Sequence, residues 1–244
     1  MRLPPEFQWS GDHISIGLAR RARAVFSTRR GGFSGGPYAS LNLGRFTDDD
    51  PQAVQRNRAH VEALLGVPLT YTRQIHGCRV LRVSAPRDGA PAEGDGQATA
   101  TAGIAPTALV ADCLPVAVAG DSAVAMLHAG WRGLASGVIR EGVRALRELG
   151  AGGRLTAAIG PGAGPCCYEV GPEVHAVFAG RFRQARQGSN LDLKAIARAE
   201  LEQAGVATVY DVGLCTICSP PELFYSHRRD RGLTGRQAGI AWLS

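Results

Sequence analysis

Three residues have the types and settings for metal or proton chemistry: His76, Cys113 and His128. Each histidine closes a strand-like run and is followed by small residues, Gly77 in one case and Ala129-Gly130 in the other. Small residues there leave room for a ligand. One thiolate and two imidazoles form a set that zinc accepts at about 2.3 Å from sulfur and about 2.0–2.1 Å from nitrogen, with a fourth position open for catalysis. The same residues also fit a buried free cysteine beside two structural histidines. Geometry bears on one pair only. Residues 111–133 read as two apolar strands around a turn at Gly120-Asp121-Ser122, leading into a glycine-rich helix start. A two-residue loop at Gly120-Asp121 sets Ala119 opposite Ser122 and Cys113 opposite His128, with Cβ atoms about 4.5–5.5 Å apart. A slip of one residue would undo this pairing. No spacing argument reaches His76.

The other candidates are weaker. Cys215-x-x-Cys218 is half of a zinc ribbon whose second half is missing, and it lacks a thioredoxin-like setting. Cys166 and Cys167 are adjacent and are expected to point in different directions. His60-Val61-Glu62 matches the H-x-E of zinc deaminases, but the P-C-x-x-C that must accompany it is absent. His60 and His175 fall in amphipathic helices, and His13 and His227 have no obvious partner.

Composition narrows the class. The chain has 244 residues, 45% hydrophobic and 20% charged, which is ordinary for a globular protein with a full core. No apolar run of about 18 residues is present to cross a membrane, and the start, from Met1 to Glu6, has no apolar leader core. A cytoplasmic protein is the expectation. Six cysteines in a chain of this length do not imply a disulfide framework. The net charge is +6, and Lys194 is the only lysine. Arginine forks suit phosphate and carboxylate. The arginines are scattered, aromatics are 6%, and no nucleic-acid motif appears, so a small anionic substrate fits better than nucleic acid.

The elements that must position these residues follow from pattern. A hairpin is expected over 14–18 and 24–27. The loop from Thr28 to Pro37 carries four glycines but neither phosphate-binding fingerprint. A helix starts at Asp50-Pro51 and ends at Gly66. Strand material over 69–83 breaks at Gly77, and 85–96 is loop. After the central hairpin a helix is expected over 134–149, then a strand at 155–160 and a Gly/Pro-dense loop to Val170. Helices near 172–180 and 192–204, a strand at 206–212 and a last strand near 236–243 complete the chain. Hairpins mixed with helices favour one mixed α/β domain spanning 1–244.

Several blocks occur together in a fixed order. They are Ser27-Thr28-Arg29-Arg30-Gly31-Gly32, Ser40-Leu41-Asn42-Leu43-Gly44, Asn57-Arg58, Gln74-Ile75-His76-Gly77, Ala111-Asp112-Cys113-Leu114-Pro115-Val116, His128-Ala129-Gly130-Trp131-Arg132-Gly133, Gly164-Pro165-Cys166-Cys167-Tyr168-Glu169-Val170 and Tyr225-Ser226-His227-Arg228-Arg229. From about residue 25 onward the chain resembles the laccase-domain family, also called the multicopper polyphenol oxidase or peptidoglycan editing factor family. The resemblance implies a sandwich of mixed β-sheets flanked by helices, similar to the cysteine-hydrolase-like toxin deamidases. It implies zinc, with copper as the alternative metal, on His76, Cys113 and His128. It implies phosphorolysis of purine nucleosides (adenosine, inosine, guanosine, methylthioadenosine) and deamination of adenosine. Arg58 and, less directly, Asn42 are implied as substrate or phosphate contacts, in a monomer or homodimer. Two departures leave the shape of the substrate pocket open: the polar Gly96-Gln97-Ala98-Thr99 and His227 in place of a common aromatic.

Rival chemistries remain. A multicopper oxidase site of this resemblance would need about ten histidines, and the chain has six. A metal-independent amidase acting on peptidoglycan precursors would use Cys113 as nucleophile and His128 as base. A zinc-stabilised scaffold without catalysis would unfold on chelation.

Overall fold

The computed structural model describes residues 2–86 and 90–244; the central part of the loop expected at 85–96 lies outside them. In chain order the elements begin with β1 (Gln8–Ser10), β2 (His13–Gly17) and β3 (Ala22–Phe26). Helix α1 (Pro51–Leu65) follows, then β4 (Leu69–Thr70), β5 (Val80–Arg82), β6 (Gly96–Thr99), β7 (Ala105–Val110), β8 (Leu114–Ala119) and β9 (Val124–Ala129). Next come α2 (Trp131–Ser136), α3 (Val138–Glu148), β10 (Leu155–Ile159) and α4 (Pro172–Phe178). The chain ends with β11 (Arg186–Gln187), β12 (Asn190–Leu191), α5 (Leu193–Gln203), β13 (Val206–Asp211) and β14 (Gln237–Leu243).

These strands form two six-stranded mixed sheets, in the orders β1-β2-β3-β14-β7-β4 and β13-β10-β8-β9-β6-β5, plus the small β11-β12 pair. The sheets pack face to face. Ala24, Phe26, Ala108 and Ala241 of the first meet Ala117, Ala119, Val124, Met126 and Ala158 of the second. The approach is close, since a Cβ on Gly239 would lie 2.5 Å from the Pro115 ring and one on Gly160 would lie 2.3 Å from Phe26. On the outer face of the second sheet, Leu114, Val116, Val118, Ala125 and Leu127 are covered by Leu134, Ile139, Leu146, Ile196 and Leu201 from the helices. Helix α1 covers the first sheet through Val61, against Leu41, Leu43 and Ile240. With both faces buried, β8 and β9 read as continuous apolar runs rather than alternating ones. Odd and even positions still part company. On β9, Val124 and Met126 turn towards the first sheet, and His128 continues that side.

Helix boundaries follow capping chemistry. Asp50 accepts from the amides of Gln52 and Ala53, Pro51 fills the first helical position, and Gly66 ends α1 in the left-handed region at φ 66°. The single helix expected over 134–149 is instead two. Gly137, at φ 89°, closes α2 and opens α3 in a new direction. An apolar periodicity persists across such a joint, so the pattern alone does not show it.

Candidate metal centre

The hairpin that carries two of the candidate ligands has a different register from the expected one. It closes through four residues: Ala119 pairs with Val124, and Gly120 N–H donates to Ala123 O at 3.0 Å. Pro115 therefore faces His128, and Cys113 lies just before β8, level with Gly130. The shift is two residues, which preserves the face on which each side chain lies. Cys113 and His128 remain neighbours, diagonally rather than directly. Gly130 makes this possible, because a Cβ there would lie 2.8 Å from Cys113 Sγ and 3.6 Å from His76 Cδ2.

His76 joins them from the loop between β4 and β5. It adopts φ 60°, a conformation that costs a non-glycine residue about 1–2 kcal/mol. Asp95 holds it there. Its Oδ1 accepts from His76 N–H at 2.8 Å, and its Oδ2 accepts from Gly77 N–H at 2.7 Å and Ile75 N–H at 3.3 Å. The same carboxylate accepts from His128 Nδ1 at 2.9 Å, which fixes the imidazole tautomer and leaves Nε2 for Cys113 or a metal. Asp95 is fully buried. The imidazole rings of His76 and His128 are 4.9 Å apart, and the ligand atoms of His76, Cys113 and His128 all lie within 4.8 Å of one another.

Cys113 is aimed by its neighbour. Asp112, at φ 84°, accepts at Oδ1 from Thr216 Oγ1 and at Oδ2 from Arg228 N–H, both at 2.7 Å, while its carbonyl accepts from Ala163 N–H at 2.7 Å. Burial alone would push the Cys113 thiol up, but the charge and hydrogen bond of His128, with a further hydrogen bond from His76, bring it down to about 6. Burial would likewise lower His128. The Cys113 thiolate and the Asp95 carboxylate override it and raise His128 to about 9. Each partner thus draws the other towards its charged form, thiolate for Cys113 and imidazolium for His128. The donor set fits a cation that takes sulfur and nitrogen: a thiolate, a carboxylate-backed imidazole and a second imidazole, close enough to share one ion.

This cluster opens on a cavity of about 770 Å³ lined by both sheets, within the range of small-molecule sites. Its wall carries Arg45, Arg58, Arg132, Arg228 and Arg236 against the acidic Glu62 and Asp112. Trp131 and Tyr168 supply aromatic faces, with the Arg132 and Arg228 guanidinium groups stacked on them at 4.4 and 5.3 Å. The Arg58 fork donates through Nε and Nη2 to Leu43 O, and its plane lies 3.8 Å from the Tyr71 ring centre. Among the described residues, Arg45 and Arg132 make no side-chain hydrogen bond. Asn42 is fully buried away from the cavity wall. Its oxygen accepts from the amides of Gly44 and Arg236, and its nitrogen donates to Thr47 and Asp49. It thus shapes the 44–47 segment that lines the cavity. Asn57 pins the glycine-rich loop to α1, through Phe33 N–H, Ser34 and the carbonyls of Ser40 and Asn42.

Sequence reasoning did not single out Asp95. Its one signal is an acidic residue between two glycines at the mouth of a buried strand. The reading of Cys215-x-x-Cys218 as an unpaired half site also needs correction. Cys166 and Cys167 lie in a turn, not a strand, so both sulfurs reach Cys215 and Cys218.

The profile of the multi-copper polyphenol oxidoreductase laccase family matches residues 23–244. A purine nucleoside phosphorylase of Xylella fastidiosa is 42% identical over 242 residues, covering 90% of this chain and 92% of that one. One from Pseudomonas aeruginosa is 38% identical, covering 91% and 94%. Among solved structures, a hypothetical protein from Bacillus licheniformis superposes with a TM-score of 0.90 at 30% identity, covering 99% of this chain and all of that one. A Neisseria meningitidis protein gives 0.86 at 34%, covering 96% and 100%.

Proposed function

This chain belongs to the multi-copper polyphenol oxidoreductase laccase family, and we propose that it is a zinc-dependent purine nucleoside phosphorylase that also deaminates adenosine. The observation that carries this reading is the Cys/His/His cluster, backed by Asp95, on the wall of an arginine-lined cavity. His76, Cys113 and His128 would hold the ion. When bound, zinc supplies Lewis acidity that activates an oxygen nucleophile near neutral pH.

The chain's own residues do the rest. Asp95 holds the Nδ1 proton of His128, so that Nε2 is directed inward and is the nitrogen that gives up its proton to ligate. Arg58 and Arg132 hold phosphate, Arg58 through the Nη1 left over from its fork on Leu43 O and Arg132 through N–H groups that make no hydrogen bond among the described residues while its plane stacks on Trp131. Trp131 and Tyr168 receive the purine on their aromatic faces. Burial first, and then the Cys113 charge, pushes Tyr168 up to about 12, so it stays a donor. Phosphate oxygen then bonds to ribose C1′ as the C1′–N9 bond breaks, giving free base and ribose 1-phosphate. In the hydrolytic reaction water adds at purine C6 and ammonia leaves, giving inosine.

A multicopper centre is disfavoured by the placement of the histidines. His60 is exposed on α1, and His13 and His175 are buried elsewhere, His175 with Nε2 on Ser189 O, which leaves His227 as the one further histidine on the cavity wall. One second reading has a specific observation behind it. Cys113, His128 and Asp95 also form the nucleophile–base–orienter arrangement of a cysteine amidase.

The test is one preparation assayed three ways: adenosine with phosphate under anaerobic conditions, products resolved by chromatography, and metal counted by mass spectrometry. Adenine, ribose 1-phosphate and inosine are expected, and Cys113→Ala should abolish all three and remove one zinc per chain. Phosphorolysis surviving in Cys113→Ala would overturn the proposal. Amide hydrolysis that withstands exhaustive chelation would favour the amidase instead.

A further inference from the structure

We propose that Cys166, Cys167, Cys215 and Cys218 bind a single zinc ion, forming a second metal site separate from His76, Cys113 and His128. All four sulfurs lie within 4.8 Å of one another, with Cys166 and Cys218 sulfurs 3.6 Å apart. A tetrahedral zinc with bonds of about 2.3 Å needs sulfurs about 3.8 Å apart. Four thiolates in a tetrahedron suit zinc or a single iron, and at these distances the sulfurs surround one ion rather than a multinuclear cluster.

The backbone around the cluster is built for a ligand. Pro165 to Cys167 form a turn in which the amides of Cys167 and Tyr168 both donate to Gly164 O, at 3.1 and 3.0 Å. Asn190 Nδ2 clamps the turn through Pro165 O at 2.8 Å. On the other side, the Cys215-x-x-Cys218 segment curls so that Ser219 N–H donates to Cys215 O at 3.0 Å. Cys215 Sγ is buried and accepts from Gly164 N–H at 3.2 Å, with the Ile217 and Cys218 amides also directed at it. Several amide donors around one sulfur suit a thiolate rather than an apolar thiol. Cys166 and Cys218 are exposed, which supplies an entry path.

The two loops joined here are those that aim Cys113. Ala163 and Thr216, one from each loop, hold Asp112, and Gly162 and Thr216 are hydrogen-bonded to each other at 3.1 Å. Zinc at the four cysteines would staple these loops together beside the first site without supplying a ligand to it.

The experiment uses full-length protein purified under reducing conditions without chelator. Wild type should carry two zinc per chain. Cys113→Ala should retain one, and cobalt exchanged into that variant should give the intense thiolate charge-transfer and tetrahedral visible bands of a four-thiolate site. The double variant Cys166→Ser/Cys218→Ser, chosen because both residues are exposed, should lose the second zinc and those bands. If that double variant does not fold, the cobalt spectrum of Cys113→Ala still decides the matter. The proposal is overturned by a folded Cys113→Ala protein with no zinc and no thiolate–cobalt bands. It is equally overturned by a Cys166–Cys218 disulfide in freshly purified protein, or by iron in place of zinc. These readouts are independent of phosphorolysis, so failure here leaves the first site's assignment standing.

Discussion

Replacing Asp95 with asparagine tests how the first site is held together. Both carboxylate oxygens are in use: Oδ1 by His76 N–H and His128 Nδ1, Oδ2 by Gly77 N–H and Ile75 N–H. Asparagine offers one accepting oxygen and one donating nitrogen. If its oxygen stays with His128, the amides of Ile75 and Gly77 face a donor. Each unpaired N–H costs about 1–3 kcal/mol when buried, and both are half-buried, so a loss of about 2–3 kcal/mol in unfolding free energy is expected. If its oxygen turns to Gly77, its nitrogen forces His128 Nδ1 to accept, and the imidazole proton moves to Nε2. That tautomer cannot ligate. Either way the support for the metal ligand weakens, and zinc affinity should fall about 10–100-fold, or about 1.4–2.7 kcal/mol. Urea unfolding of metal-free protein gives the first quantity, and competition with a chromophoric chelator at neutral pH gives the second. A variant destabilised as expected but binding zinc within twofold of wild type would refute the link between Asp95 and His128. Unchanged stability would refute its hold on the 75–77 backbone.

Three further outcomes follow from the same geometry. Gly130→Ala drives a methyl to 2.8 Å from Cys113 Sγ, so the first zinc should be lost and phosphorolysis with it, while circular dichroism stays native; a variant retaining that zinc would contradict the packing described. Zinc affinity should fall with acidity. Below about 9 the ion must displace the His128 proton, and below about 6 the Cys113 proton as well, so affinity drops about tenfold per pH unit across that interval and more steeply beneath it, measured by chelator competition against pH. Gly137→Ala imposes a side chain at φ 89° between α2 and α3, so the melting temperature should fall by roughly 2–8 °C for a strain of about 1–2 kcal/mol, with activity per folded molecule unchanged.

The hairpin shows which parts of this arrangement the sequence carries and which it does not. Apolar runs bounded by Gly120-Asp121-Ser122 suffice to locate β8 and β9. They do not fix loop length, because two-residue and four-residue closures differ only in which of several similar small residues pair. The expected register was off by two, an even number, so Cys113 and His128 stayed on one face and the candidate site survived the error. An odd error would have parted them. His76 had no such protection, since long loops separate it from the hairpin, and its inclusion rested on its setting before Gly77 and on the family resemblance, with no spacing argument behind it. The cap residues Asp50 and Gly66 were legible because capping is local chemistry. Asp95 was not, because its role lies in contacts with residues about 20 and 33 positions away. The four cysteines fall between these cases. Their spacing hid the site because half of it lies in a turn, where adjacent side chains need not diverge as they do in a strand.

Placement of the proposed ligands explains why so much of the supporting work falls on residues outside the proposed ligand set. His76 and Cys113 lie outside regular elements, next to or at positive φ, where the backbone has no ladder to hold it. Two buried carboxylates replace that ladder. Asp95 gathers three successive amides around His76, and Asp112 holds the 216 loop and Arg228 N–H through its carboxylate and the 163 loop through its main-chain carbonyl. Each offsets strain of about 1–2 kcal/mol with charge-assisted bonds worth about 1.5–3 kcal/mol apiece. On the Asp112 side two of the partners sit on loops that β13 and β10 anchor only at their starts. A second ion across Cys166, Cys167, Cys215 and Cys218 would close that side. The affinity of the first site is then set partly by the occupancy of the second, through Thr216, Ala163 and Asp112, with no ligand in common.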